Sequence, residues 1–516
     1  MKVALAQTQN FVGDFKTNSS KILQLIKQIG SQVDLLVFPE GGLFSYPPKD
    51  YLFRKDFFKI QDQELQKIQK KIPQSLGVLL PAFVKQKESL QNGVFFLTKN
   101  KKPRFFAKAF LPNDGVFYES RYFKAGSIEK NVFTWKNKKI QLLICEDLWQ
   151  AKKFKSPDLL ICMSASPFTH EKQKARLKRL KTLVVKHRCL GFYLNRVGGQ
   201  DDLIFDGGSF ILNKQGSLVA EASFFQEDCI LYDSKKAAPF KRKALLSKEE
   251  KTLQALSLGI KSFFNQVGFS QALVGLSGGI DSALVFYLAT QALGRDNVKA
   301  CFLPSPFTQK LSYKITQDFC SQLGVDLTRI DISSLYELAL KTTFKNQDFK
   351  RSISSENIQA RIRSLILMAQ ANEKDLLLLG TGNKSELATG YSTLYGDLCG
   401  ALLPIGDLWK TEVYQLAQFI SKERGIFSKQ LLERAPSAEL APHQKDEDQL
   451  LPYQELDLLL KKLLQFKPPQ TSKEKKVARL LQQSEFKRKQ APPCLKLSET
   501  AFGEGRRMPL AHKFPL

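Results

Sequence analysis

The chain has 516 residues, 43% hydrophobic and 25% charged, too long for one hydrophobic core and too apolar for a disordered chain, so two or three globular domains are expected. Its net charge of +28 fits either a lysine-rich solvated surface or attraction of polyanions such as ATP, a dinucleotide or nucleic acid, and charge alone does not choose among these. No run of basic residues interleaved with aromatics points to nucleic acid. The eight cysteines are scattered without a CxxC pair, and the four histidines are not spaced as ligands, which leaves carboxylates, lysine and cysteine to carry any catalysis.

The chain opens MKVALAQTQN, with no charged-then-apolar signal pattern, and no apolar run approaches a membrane span, so a cytoplasmic protein is expected. VALAQ reads as a strand and residues 19–29 have helical spacing. Further strands are expected over 34–38, 76–83, 94–98, 140–144 and 159–162. Strands alternating with amphipathic stretches imply a layered α/β domain over residues 1–232.

Three residues of this domain stand at strand ends or in adjoining loops, where chemistry is usually placed. Glu40 follows LLVFP, Lys108 lies in FFAKAFLPNDGVFYESRYF, and Cys145 follows QLLI. Amide cleavage through a cysteine needs a base for the thiol proton and a cation for the oxyanion, and glutamate and lysine supply both where histidine is scarce. In this order and with these flanks the three resemble the catalytic triad of the nitrilase superfamily. The resemblance implies an α-β-β-α sandwich, with Glu40 as base, Cys145 as nucleophile, and Lys108 stabilising the oxyanion beside a backbone N–H near Cys145. It also implies that Glu119 positions Lys108, and that Ser166 and Lys172 of SASPFTHEK bind the α-amino and carboxylate groups of glutamine. The chain departs from the family at Asp114, where relatives carry a glutamine-contacting tyrosine. The departure leaves that contact open, with binding of the glutamine α-ammonium by Asp114 as one expectation.

Residues 233–250 are rich in charge, carry a proline and little apolar pattern, and read as a linker to a second domain over 251–516. There, ALVGL reads as a buried strand and the apolar spacing from Ala283 as a helix. Ser277, Gly278, Gly279, Ile280, Asp281 and Ser282 form a small glycine-rich turn between them. Such a turn offers inward N–H groups, hydroxyls and a helix N-terminus to a phosphate, and Asp281 fits beside an anion if Mg²⁺ bridges the two. Without Gly-Lys-Ser/Thr it is not a Walker A loop. It resembles the pyrophosphate loop of the N-type ATP pyrophosphatases, which leave AMP on their substrate, and this implies a doubly wound parallel sheet.

Three further segments, beginning at Ser355, at LLLLGTGNKSELATGYSTLYGD and at ALLPIGDLWKTEVY, resemble the NAD synthetases, as do residues 435–440 and 496–503. With the first domain, the resemblance covers nearly the whole chain and points to the glutamine-dependent NAD synthetases. It implies ATP binding by Gly275, Leu276, the 277–282 turn and Thr381, and deamido-NAD binding by Asn357, Glu386 and Lys496. Asp281 and Glu386 are the implied Mg²⁺ ligands, with the metal and dinucleotide roles of Glu386 in competition, and Lys410 is expected at a phosphate. The implied activity is ATP-dependent amidation of deamido-NAD through an adenylate, using ammonia freed from glutamine and passed internally within a homo-oligomer. Two alternatives stand beside it. One is another pyrophosphate-loop amidotransferase, for example a tRNA-modifying one; the other is an ammonia-dependent synthetase with a glutamine-blind first domain.

Overall fold

The computed structural model describes residues 1–87, 89–152, 154–235, 240, 246–344, 352–436, 439–441, 446 and 450–510, which fall into two units, Met1–Leu246 and Ser247–Leu516. Residues 236–239 and 241–245 of the expected linker, and Ser437 and Ala438 of the 435–440 segment, lie outside the described residues.

The first unit runs β1 (Lys2–Gln7), α1 (Phe15–Ile29), β2 (Leu35–Val37), α2 (Phe57–Lys71), β3 (Gly77–Gln86), β4 (Ser89–Leu97), β5 (Arg104–Ala107), β6 (Val132–Trp135) and β7 (Lys138–Ile144). It continues through α3 (Asp147–Gln150), β8 (Leu159–Ser164), α4 (Lys172–His187), β9 (Leu190–Asn195), β10 (Val197–Gln200), β11 (Leu203–Asp206), β12 (Phe210–Leu212), β13 (Leu218–Glu221) and β14 (Asp228–Asp233). Two six-stranded sheets result, ordered β14-β1-β2-β3-β4-β5 and β13-β12-β9-β8-β7-β6. Alternation along the strands decides which face meets what. Val3, Leu5, Leu35 and Val37 point at Ile140, Leu142, Ile144 and Ile161 of the other sheet, while Ala4, Ala6, Leu36 and Phe38 pack beneath α1 and α2. On the opposite flank Leu160 and Cys162 pack beneath Leu180 and Val184 of α4. The layers are therefore helix, sheet, sheet, helix, the expected α-β-β-α sandwich.

The second unit runs α5 (Lys248–Val267), β15 (Ala272–Leu276), α6 (Ile280–Leu293), β16 (Val298–Phe302), α7 (Lys310–Leu323), β17 (Leu327–Arg329), α8 (Ser333–Phe344), α9 (Ile353–Glu373) and β18 (Leu377–Leu379). After them come α10 (Lys384–Thr389), α11 (Lys410–Arg424), α12 (Lys429–Glu433), α13 (Tyr453–Leu464) and α14 (Ser472–Gln483). The sheet is parallel and ordered β17-β16-β15-β18, so the winding reverses at β15. Leu273, Cys301 and Leu303 pack against Tyr336, Ile362 and Leu367 of α8 and α9. In such sheets ligands sit beyond the carboxyl ends of the strands at the reversal, which is where residues 277–282 lie.

Boundaries differ from the sequence expectation where capping side chains set them. Asp14 accepts the Thr17 N–H, so α1 begins at Phe15 rather than 19. Ser247 accepts the Glu250 N–H, so α5 begins at Lys248, inside the expected linker over 233–250. Ser352 and Ser355 form a capping box with Ser352 as the cap of α9.

Within the second unit a buried ion pair ties residues 497–500 to the segments that carry Lys384 and Asp407. Lys384 Nζ lies 2.6 Å from Asp407, with both side chains 0% exposed. Lys384 also donates to Ser498 and Thr500, and Asp407 accepts the N–H groups of Leu497 and Ser498. Removing one member leaves the other buried and unpaired, which costs about 3–5 kcal/mol. In calorimetry Lys384→Met should therefore lower the unfolding midpoint of the second unit by roughly 10 °C and leave that of the first unchanged.

Candidate active sites

The first site is built around a buried ammonium. Lys108 follows β5, is 1% exposed, and donates to Glu40 and Glu119, each at 2.9 Å. Glu40 follows β2 and is held at both oxygens: Oε1 takes Lys108 and the Asn92 amide at 2.9 Å, and Oε2 takes the Ala165 N–H at 3.0 Å. The Lys108 N–H in turn bonds the Asn92 carbonyl, 2.8 Å away. Tyr46 donates its hydroxyl to Glu119 at 2.7 Å, and its ring lies 5.9 Å from Lys108 Nζ.

Cys145 follows β7 in a left-handed conformation, φ +46°, on the turn into α3. That conformation is uncommon outside glycine and typical of strained functional positions. Its N–H is committed to the Met163 carbonyl at 2.9 Å. The charges here are coupled. Burial works against the Lys108 ammonium, but Glu119 and Glu40 outweigh it and hold its pKa well above the usual lysine value. Burial, with Glu40 second, pushes the Cys145 thiol well up, while Lys108 pulls it down. The resting sulfur therefore keeps its proton, with the Glu40 charge acting against its ionisation. Burial likewise raises Glu119, against the pull of Lys108.

Glu40, Lys108, Cys145 and Glu119 are thus brought together as the sequence reading expected. Ser166 is buried next to the same strand ends; its hydroxyl accepts from Arg176, whose guanidinium forms a buried pair with Asp206 at 2.7 Å. Lys172 stands 5.3 Å from the Trp149 ring on α3, four residues beyond Cys145. The Asp114 side chain is exposed. Sequence reasoning missed Tyr46, Asn92, Arg176 and Asp206, whose partners are distant along the chain.

The second site is a cavity of about 430 Å³ at the carboxyl ends of β15, β16 and β18. Gly275, Leu276, Ser277, Gly279, Ile280, Asp281 and Ser282 line it, as do Thr381, Asn357, Glu386 and Lys410. Gly278 is required twice over: its φ is +78°, and a Cβ there would come 2.8 Å from the Ser312 backbone. Its carbonyl accepts from Arg434, which is also paired with Glu439, so a side chain from beyond α12 holds the turn. Ser277 and Ser282 hydroxyls bond within the turn, to the Gly279 N–H and carbonyl.

Asp281 is ion-paired with Lys410 and accepts the Asn383 amide at 3.0 Å. Glu386 is the reciprocal capping partner of Asn383 on α10. Burial first and Asp281 second lift the Glu386 carboxyl well above its usual range. Burial lowers the Lys410 ammonium, but Asp281 and Glu386 outweigh it and raise it overall. Arg363 of α9 also lines the cavity, donates to the Leu303 carbonyl, and is drawn down to about 10 by burial; the sequence reading passed over it. Lys496 does not line the cavity: it is buried and donates to the Phe502 carbonyl at 2.8 Å. Among the described residues no group of three or more His, Cys, Asp or Glu side chains converges as a metal site.

The family model for carbon-nitrogen hydrolases matches residues 2–237, and that for NAD synthases matches residues 252–491. A glutamine-dependent NAD(+) synthetase of Synechocystis is 37% identical, with 99% of each chain covered. That of Aquifex aeolicus is 33% identical over the whole of both chains. The chain belongs to the glutamine-dependent NAD(+) synthetase family. The solved glutamine-dependent NAD+ synthetase of Acinetobacter baumannii, in complex with ADP, is 29% identical with a TM-score of 0.79, covering 99% of this chain and 98% of that one. The enzyme of Cytophaga hutchinsonii, 20% identical with a TM-score of 0.85 over 99% and 98% of the two chains, shares the fold. A family member of this kind is an ATP-dependent ligase that forms a carbon–nitrogen bond.

The charges at the first site give a pH test. Glu40 opposes ionisation of the Cys145 thiol, so removing that charge should lower the thiol pKa. Alkylation of Cys145 by iodoacetamide, followed by mass spectrometry across pH, should shift to lower pH in Glu40→Gln; a profile that stays put or moves upward contradicts the coupling.

Proposed function

We propose that this chain joins ammonia, cut from the side chain of glutamine, to the nicotinate carboxylate of deamido-NAD at the expense of ATP. Residues 1–232 carry the glutaminase, 233–250 the linker and 251–516 the adenylating synthetase. The observation that carries the reading is the buried Glu40–Lys108–Glu119 cluster beside a protonated, left-handed Cys145.

In the glutaminase, Cys145 Sγ attacks the amide carbon as Glu40 takes its proton. Lys108 and a backbone N–H stabilise the oxyanion; since the Cys145 N–H is committed to Met163, a neighbouring amide is needed. Glu40 returns the proton to the leaving nitrogen, ammonia departs, and water clears the thioester to give glutamate. Ser166, set by Arg176, and Lys172 bind the glutamine backbone groups.

In the synthetase, residues 275–282 and Thr381 hold ATP, and Asn357 and Glu386 hold deamido-NAD from the same cavity wall. Only the motif resemblance supports a dinucleotide contact for Lys496. A nicotinate oxygen attacks the α-phosphate and pyrophosphate leaves; ammonia then attacks the acyl adenylate and AMP leaves. A free carboxylate is a poor acceptor for ammonia, and adenylation supplies the leaving group. Lys410 contacts phosphate.

Asp281 and Glu386 fit Mg²⁺, which favours one or two carboxylates completed by phosphate oxygens and water. The raised carboxyl of Glu386 beside Asp281 marks a local excess of negative charge that a dication relieves. When bound, Mg²⁺ shields the phosphate charge that opposes adenylation.

Among the described residues no helix is long and apolar enough to cross a membrane, and the eight cysteines are free thiols. Both support work in the cytoplasm. Ammonia loses its nucleophilicity on protonation in bulk water, which supports a homo-oligomer that shelters its transfer.

Cys145→Ala should lose glutamine-driven NAD formation by about a thousandfold or more and keep ammonium-driven formation within about twofold; joint loss would sink the division of labour. Asp281→Asn should abolish NAD formation from either nitrogen source, as read by chromatography of the products; retained synthesis removes Asp281 from the site.

A further inference from the structure

Asp147, two residues beyond Cys145, is 0% exposed. Among the described residues it forms no ion pair, and burial lifts its carboxyl to about 7. Its bonds go to three backbone amides. Oδ1 accepts the N–H of Ala109 at 3.0 Å and of Phe110 at 2.8 Å; Oδ2 accepts the N–H of Ile144 at 3.0 Å. Ala109 is the residue after Lys108, and Ile144 is the residue before Cys145.

We propose that Asp147 is a positioning residue of the glutaminase: its one carboxylate bridges the segment that carries the ammonium to the segment that carries the thiol, and so fixes their separation. The inference rests on the reading of Lys108 and Cys145 given above. Three features support it. An apolar side chain at this position would leave three N–H groups without an acceptor, those of Ala109, Phe110 and Ile144. The arrangement needs an acceptor on both sides. Asparagine offers one oxygen, and its amide would point a donor at a donor; alanine offers nothing. Asp147 also closes the strained elbow: the Leu148 N–H returns to the Cys145 carbonyl at 3.0 Å, and the Ala151 N–H to the Asp147 carbonyl at 2.9 Å. With the Cys145 N–H fixed to Met163, the Ile144 bond leaves the left-handed sulfur-bearing residue pinned from both sides.

Catalysis through a thiol and an oxyanion cation is sensitive to their separation, and a misplacement of about 1 Å costs on the order of a hundredfold. The test uses the full chain with Asp147→Asn and, as a smaller variant that relieves the buried charge, Asp147→Ser. In both, the glutaminase kcat should fall by about a hundredfold, with KM for glutamine within about threefold and ammonium-driven NAD formation within about twofold of the parent. A purely structural role would lower the unfolding midpoint and leave kcat of the folded protein intact. A kcat within about threefold of the parent in either variant, or a loss carried by KM alone, overturns the proposal. Cys145→Ala is run alongside. If that variant keeps glutaminase activity, the underlying reading is at fault. If it loses activity while Asp147→Asn keeps it, the positioning role alone fails.

Discussion

A lysine ammonium does not stay buried alone. At 1% exposure Lys108 persists because two carboxylates, Glu40 and Glu119, meet it at 2.9 Å, and their charges more than offset its desolvation. The rest of the first unit is arranged around that requirement. Asn92 and the Ala165 N–H hold Glu40, Tyr46 holds Glu119, and the ends of β2, β5, β7 and β8 converge so that these groups meet. The same constraint supplies the chemistry. Two anions for one cation leave net negative charge acting on the sulfur, which together with burial pushes the Cys145 thiol pKa well up.

The second unit solves a different electrostatic problem, the concentration of phosphate charge, with few formal cations at the turn itself. The turn after β15 presents backbone amides at the start of α6, and Gly278 allows the sharp approach. Lys410 and Arg363 bring positive charge to the wall, and Asp281 and Glu386 bring negative charge to it. The sheet order places this turn at the reversal of winding, where an α/β sheet opens.

Much of this was legible in the sequence wherever chemistry requires neighbours in the chain. The 277–282 stretch and its preceding strand are legible together because six adjacent residues carry the signal, but α6 starts at Ile280 rather than Ala283, so Ile280, Asp281 and Ser282 form its first turn. The cysteine and its two charged partners were legible because each follows an apolar strand. Boundaries differ from the sequence expectation where a single side chain decides them, as Asp14 does for α1 and Ser247 for the end of the linker. Strands β9 to β14 were not foreseen individually, since several are only three or four residues long. Groups that act across long sequence separations were silent: Asn92 reaches Glu40 over 52 residues, and Lys384 reaches Ser498 over 114. Lys496 illustrates the converse, a motif residue whose side chain the fold spends on its own tail.

The account's central claim is that nitrogen freed at Cys145 becomes the amide nitrogen of the product. Its most direct measurement is the mass of NAD formed from deamido-NAD and ATP with ¹⁵N-amide glutamine in the presence of unlabelled ammonium salt. The account predicts NAD heavier by one mass unit in the intact protein and unlabelled NAD in Cys145→Ala. Unlabelled NAD from the intact protein, or label retained in the variant, would contradict it.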